Sequence, residues 1–311
     1  MGQDCLKTVT SGGSNCGFGV DALANNTGSF NVAIGTGSML NNTSASNNTA
    51  IGKDSLRANT TGTFNTALGR SCLESITTAS SSTGVGYGAL AACTSDENTA
   101  VGKHASVNVS TGQQNTSLGS QALYTATTGT QNTCLGRTAG YDGTTGSNNL
   151  LLGLDAGRSN SPGGTVNNES NVVVLGNNDI ASFFCAETSI SSSDSRDKTD
   201  ITDFGIGLKW IEALRPVTYK WDKRTWYGTE EEPFGTPDGS KKKSKINIGF
   251  LAQEALAIEK ANGYGTSNDD SLIVNLTPDG MSYGMKYERL VPILVNALKE
   301  LSAKVTALEA G

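Results

Sequence analysis

The sequence predicts a mainly β repeat rod, a trimeric β-solenoid-like shaft over residues 1–192, followed by a small α+β domain over 193–311 that ends in a trimeric coiled coil. Three observations carry this reading. A short segment recurs every 16 or 17 residues through the first part, charge density rises abruptly near residue 193, and a heptad of apolar residues closes the chain.

The repeat has the form Asn-Thr-small-apolar-Gly, with its last glycine at Gly19, Gly35, Gly52, Gly69, Gly86, Gly102, Gly119, Gly136 and Gly153. A fixed period of this length is the mark of a stacked repeat architecture. One apolar residue precedes each glycine, from Phe18 and Ile34 through Leu135 and Leu152. Asn stands four before it in every unit except that of Ser82. A second small-apolar pair follows by three and four residues, as in Ala22-Leu23, Cys72-Leu73 and Ala122-Leu123. Each unit reads as short strand plus tight turn, with Gly supplying backbone angles that larger residues resist. Asn at a fixed place is expected to stack into a ladder. With two or three apolar side chains per rung, residues 15–176 are expected to form a rod whose narrow core three chains share. Glycine at 38 of 311 residues and aromatics at 6% fit this, being too lean for two ordinary cores.

Residues 1–192 carry seven Lys/Arg and eleven Asp/Glu, whereas 193–311 carry sixteen and eighteen. Neither part has the basic surface of a nucleic-acid binder. No run of 18 apolar residues is present, so membrane insertion is not expected, and the first residues show no secretory h-region. The six cysteines form no CxxC pair and His104 is the single histidine, which argues for buried thiols and against a metal site; no cofactor is expected. Gly-x-Gly fragments such as Gly35-Thr36-Gly37 are repeat punctuation and lack the dinucleotide fingerprint. Asn-x-Ser/Thr sequons such as Asn25 and Asn168 follow from composition.

Beyond 193 a helix is expected with Phe204, Leu208, Ile211 and Leu214 on one face, stopped at Pro216, then a strand through Val217, Tyr219 and Trp221. The Glu230-Glu231-Glu232 and Lys241–Lys245 runs read as solvated arms of a loop. Tyr287, Val291, Leu294, Leu298, Leu301, Val305 and Leu308 are spaced 4, 3, 4, 3, 4, 3, the seam of a left-handed coiled coil on a helix over about 288–309. Pro292 suits only its first turn.

The repeats resemble those of trimeric adhesin heads and viral tail-fibre shafts. Four later blocks resemble the intramolecular chaperone domain of phage and viral tail fibres and tailspikes, the peptidase S74 family: Ser193-Asp194-x-Arg196-x-Lys198-x-x-Ile201, Leu214-Arg215-Pro216-Val217-x-Tyr219-x-Trp221, Ile248 through Glu254, and the terminal helix from Tyr287. The resemblance implies a domain that aligns three chains and then cuts itself off, with Ser193 as nucleophile, Lys198 as base and the scissile bond between Ser192 and Ser193. Asp194 and Arg196 would support the turn. It also implies a homotrimer, a virion location after assembly in the host cytoplasm, and attachment to a host-surface receptor or glycan. Because the repeats begin near residue 1, the chain is expected to be the distal part of a longer fibre. The alternative is a shaft with a permanent, non-cleaving C-terminal cap. A glycan-degrading tailspike is disfavoured for want of a convincing carboxylate pair.

Overall fold

The computed structural model describes residues 2–7, 11–180, 193–229, 232, 234–267, 269–276 and 282–311. The chain divides into two compact units, Met1–Ile180 and Ala181–Gly311. The family-like blocks begin at 193; residues 181–192, which precede them in the second unit, lie outside the described residues.

The first unit is a single-chain parallel β-solenoid. Its ten three-residue strands are β1 (Cys16–Phe18), β2 (Val32–Ile34), β3 (Thr49–Ile51), β4 (Thr66–Leu68), β5 (Thr83–Val85), β6 (Thr99–Val101), β7 (Thr116–Leu118), β8 (Thr133–Leu135), β9 (Leu150–Leu152) and β10 (Val173–Leu175). Each pairs in parallel with the next in sequence order, Ala33 opposite Ala50 and Ala50 opposite Ala67. The tenth strand comes 23 residues after the ninth, because an extra turn around Ser161 lengthens that rung.

The rung interior is assembled from two small rows and one larger one. The middle strand residue (Ala33, Ala50, Ala67, Ala100, Ser117, Cys134) is buried, as are the small residues three after each glycine (Ala22, Ser38, Ser55, Cys72, Ala89) and the leucines that follow them (Leu23, Leu56, Leu73, Leu90, Leu123). The thin rungs lead the sequence argument to a core shared by three chains. In the structure a narrow interior closes within one chain, because almost every strand residue facing it is small. The bulkier row before the glycines stands outside: Phe18, Leu68, Leu118 and Leu175 are exposed on the outer face of the sheet.

The asparagine ladder is continuous. Each Asn Oδ1 accepts the backbone N–H of its equivalent one rung on, as Asn48 does from Asn65 at 2.9 Å and Asn115 from Asn132 at 3.0 Å. Each Nδ2 donates to a turn carbonyl of that next rung, such as Gly62 from Asn48 at 2.9 Å and Gly129 from Asn115 at 2.8 Å. These side chains therefore satisfy backbone groups that a buried turn would leave unpaired. Ser82 is too short to do both well: its contacts to Ser95 O and Asn98 N stretch to 3.4 and 3.3 Å.

Backbone handedness explains the invariant glycine. Gly69 has φ +139°, and a Cβ there would lie 2.4 Å from the carbonyl oxygen of Gly86 in the next rung. Around it Phe64, Ser71 and Leu73 also adopt left-handed φ of 59°, 52° and 52°. Such a conformation costs an L-residue about 1–2 kcal/mol, and for Leu73 complete burial offsets it by about 1.5–3 kcal/mol.

The second unit is small and α+β. Helices α1 (Leu208–Ala213), α2 (Ala252–Ala261) and α3 (Leu290–Glu309) accompany two antiparallel ladders, β11 (Val217–Tyr219) with β12 (Asn247–Gly249) and β13 (Val274–Leu276) with β14 (Tyr283–Met285). Trp210, Leu214, Ala255, Ile273, Val274, Leu290 and Ile293 form its core. Helix α1 is shorter than its apolar spacing suggests: Phe204 precedes it, Gly207 starts it, and Trp210 is its buried residue. Trp221 lies past the end of β11. No helix among the described residues is long and apolar enough to cross a membrane.

Candidate functional site

Residues 193–198 make a compact turn in which every contact is local. Asp194 caps the 3₁₀ turn Ser195–Asp197, its Oδ1 accepting the Arg196 N–H at 2.9 Å, and the Lys198 N–H donates to Ser195 O at 3.3 Å. The Arg196 guanidinium grips the same carboxylate, Nε at 3.0 and 3.1 Å from its two oxygens and Nη2 at 2.5 Å from Oδ2. That pairing holds the Asp194 carboxyl below the usual range and the Arg196 guanidinium above its own. Both are surface groups, so the pair orders the turn more than it stabilises the fold.

The turn reverses the chain so that residues five apart in sequence meet. Lys198 Nζ donates to Ser193 Oγ at 2.8 Å. Both side chains are exposed. A protonated amine can only donate in this contact; once deprotonated, the same nitrogen would accept the hydroxyl proton. Ser193 Oγ could then attack the carbonyl carbon of the preceding residue through a five-membered ring; the C–N bond to Ser193 breaks as its nitrogen takes the proton held by Lys198, leaving an ester and a free amine, and water cleaves the ester. Ser192, which carries that carbonyl, lies outside the described residues, as do Cys185, Glu230, Glu231 and Pro233.

The expected seam residues fall on α3 and the turn before it. Val291, Leu294, Leu298, Leu301, Val305 and Leu308 are all exposed, between 44% and 81%. The opposite face, Leu290, Ile293 and Ala297, packs into the unit's own core. Tyr287 differs from the rest. It belongs to the 3₁₀ turn Tyr287–Arg289, its hydroxyl accepts the Phe250 N–H at 3.3 Å, and a Cβ on Gly249 would sit 2.6 Å from that oxygen. Gly249 in the Ile248–Glu254 block is therefore what makes room for Tyr287.

Two further contacts escape the sequence reading. Arg215 pairs through Nη2 and Nε with Glu254, joining two of the quoted blocks. Glu259 is fully buried in α2, and its carboxylate accepts the N–H groups of Leu272, Ile273 and Val274 at 3.2, 2.6 and 3.0 Å and the Ser271 hydroxyl at 3.0 Å. Four donors replace the water such a charge loses, which fixes β13 against α2. Nothing in the spacing marks Glu259, because its partners are backbone groups far along the chain.

The lysine run at 241–243 is exposed, but the loop folds on itself. The Lys243 N–H donates to Trp221 O at 2.8 Å, the Lys243 ammonium lies 4.8 Å from the Trp226 ring centroid, and Tyr227 links Asp222 to Lys241. No group of acidic, His and Cys residues that could hold a metal occurs among the described residues.

Comparison with protein families adds an independent finding. Residues 193–264 match the peptidase S74 family model, described as chaperone of endosialidase. The first part of the C-terminal unit is thus similar to a chaperone-of-endosialidase domain. The matched span begins at Ser193 and takes in the first three quoted blocks, while α3 lies beyond it. The match points to a folding-chaperone role for this unit. No curated protein and no solved structure matches the chain.

Proposed function

We propose that the chain is a viral fibre protein: a homotrimeric shaft whose C-terminal domain directs trimerisation and folding, then cuts itself off between Ser192 and Ser193, leaving the shaft for host attachment. The observation that carries this reading is the 2.8 Å contact between Ser193 and Lys198 at the first residues of a chaperone-of-endosialidase match. Two unpartnered apolar rows support the homotrimer: the aliphatic row on the outer face of the shaft sheet and the exposed heptad face of α3. Each is regular along its element, so a copy of the same chain presents a complementary surface.

Ser193 and Lys198 are both exposed to water in the single chain, whereas a reacting pair works best in a site from which water is excluded. Cutting therefore waits for assembly to enclose the turn. The same exposure favours the second reading, a permanent cap that never cuts.

Intact mass of the freshly expressed chain decides between them: cutting gives pieces of 192 and 119 residues. Ser193→Ala and Lys198→Ala should each stay at full length and sediment as trimers. Leu298→Asp/Leu301→Asp places charges in the seam and should abolish both trimer and cutting. Full-length wild type would leave the cap reading, and efficient cutting of Ser193→Ala would overturn the nucleophile assignment.

A further inference from the structure

Along one turn edge of the solenoid, six consecutive rungs each present one ring or guanidinium to the next. Arg70 lies 5.8 Å from the ring centroid of Tyr87, and Tyr87 is 4.7 Å from His104. His104 is 6.4 Å from Tyr124, Tyr124 stacks on Tyr141 at 4.9 Å with planes 1° apart, and Arg158 caps Tyr141 at 4.9 Å. At the rung spacing of about 4.8 Å this file runs for about 24 Å parallel to the solenoid axis.

Cations accompany it. The position directly after the repeat glycine holds Lys53, Arg70, Tyr87, Lys103, Ser120 and Arg137 in successive rungs, all exposed except the half-buried Ser120. Lys53, Arg57 and Arg158 have carboxylate partners. Among the described residues Arg70, Lys103 and Arg137 form no salt bridge, and they recur two rungs apart, about 10 Å. Of the seven Lys/Arg in residues 1–192, six lie along this edge. Stacking alone would account for the rings; it does not account for uncompensated positive charge placed regularly beside them in a unit of net negative charge.

We infer that this edge binds an acidic polysaccharide laid along the shaft axis, its carboxylates on Arg70, Lys103 and Arg137 and its hydroxyls against the outer edge of the tyrosine file. Because the tyrosines stack on their neighbours along the axis, the file offers ring edges to a glycan, with phenol groups able to donate to and accept from sugar hydroxyls, and the two-rung cation spacing suits one carboxylate for every two sugars. A nucleic acid is the poorer fit, because the unit's net charge is negative and repels a dense phosphate backbone. A glycan with one charge per two sugars is repelled far less. The inference deepens the attachment role proposed above and rests on it.

The test uses the full chain, with trimer and cutting checked on the same sample by sedimentation and intact mass, so that failure of assembly is seen separately from failure to bind. Hyaluronate, polygalacturonate, neutral dextran, a poly-dT oligonucleotide and phosphatidylglycerol vesicles are immobilised and probed at about 0.15 M salt. Retention on a carboxylated glycan and not on dextran is expected. Lys103→Ser/Arg137→Ser should weaken it about tenfold or more, because each change removes a charged partner of a carboxylate. Tyr124→Ala/Tyr141→Ala should also weaken it. Since the tyrosine pair also packs between rungs, its variant is judged only beside the surface-cation variant. An assembled trimer that binds neither acidic glycan, binds dextran equally, prefers poly-dT or vesicles, or loses nothing in the cation variant would overturn the inference.

Discussion

A three-step glycine series tests how closely the rungs approach. Gly13→Ala meets nothing within 4 Å and requires no left-handed φ, so it should be neutral or stabilise by about 0.4–1 kcal/mol through the unfolded chain. Gly163→Ala also has open space but a φ of +88°, so it carries backbone strain alone, about 1–3 kcal/mol. Gly102→Ala has φ +137°, and its Cβ would lie 2.4 Å from Gly119 O and 2.6 Å from Gly119 C. Neither atom belongs to a flexible side chain; moving them opens the ladder between two rungs. Overpacking adds about 1–3 kcal/mol, so the total is about 2–6 kcal/mol. Because a solenoid holds each rung mainly through its neighbours, the damage should appear as a split or broadened transition. Urea melts followed by far-ultraviolet circular dichroism measure all three. If Gly102→Ala costs no more than Gly163→Ala, the close backbone approach is refuted.

Asn115→Ala leaves the Asn132 N–H and the Gly129 carbonyl inside the rod without partners, at about 1–3 kcal/mol for each buried group, and the same melts read it. Burial pushes the Cys72 and Cys134 thiols up to about 12 from an ordinary 9.0 and raises Cys93 as well, whereas Cys16 is exposed. Iodoacetamide on the folded protein should therefore label Cys16 and spare those three, as mass spectrometry of peptides would report. With Cys72 and Cys134 raised in the folded state, their stabilisation is full below pH 9 and is lost as pH rises from 9 towards 12; the urea midpoint should fall over that window, and less in Cys72→Ala/Cys134→Ala.

Much of the shaft is legible in the sequence because its constraints are local and repeated. The glycine and asparagine rows each answer to one backbone requirement, so each leaves a fixed period. What the sequence does not disclose is which apolar row is inside. Ile51 and Leu56 look equivalent as letters, yet Leu56 is fully buried and Ile51 stands half-exposed outside. The clue is the residue before Ile51: strand neighbours point to opposite faces, and that position is small in eight successive rungs, from Gly17 and Ala33 to Ser117 and Cys134. In the C-terminal unit the Ser193–Lys198 contact follows from a five-residue spacing across one short turn. Glu259, bound to the N–H groups of residues 272–274, follows from no spacing at all.

One exception to the small-inside rule gives the sharpest check on this division. At Leu151 the inward strand position holds a large residue, and there the inward leucine of the turn is missing from the preceding unit and from its own, which carry Gly140 and Gly157. Added Cβ atoms on those glycines would lie 3.1 and 2.9 Å from Leu151 Cδ1, so one leucine fills the space that turn leucines fill elsewhere. Here the strand leucine takes over the space that the turn leucines fill in other rungs. Leu151→Ala should cost about 2–5 kcal/mol by leaving a cavity, and Gly157→Leu about 1–3 kcal/mol by overfilling. The left-handed φ of +80° at Gly157 is no bar in itself, since Leu73 and Leu123 adopt φ of 52° in equivalent turns. The double variant Leu151→Ala/Gly157→Leu moves the leucine to the position it occupies in most rungs. It should be more stable than the sum of the two changes by about 1 kcal/mol or more. Simple additivity in urea melts would mean that the two positions do not share one interior, and the assignment of inward rows would have to be withdrawn.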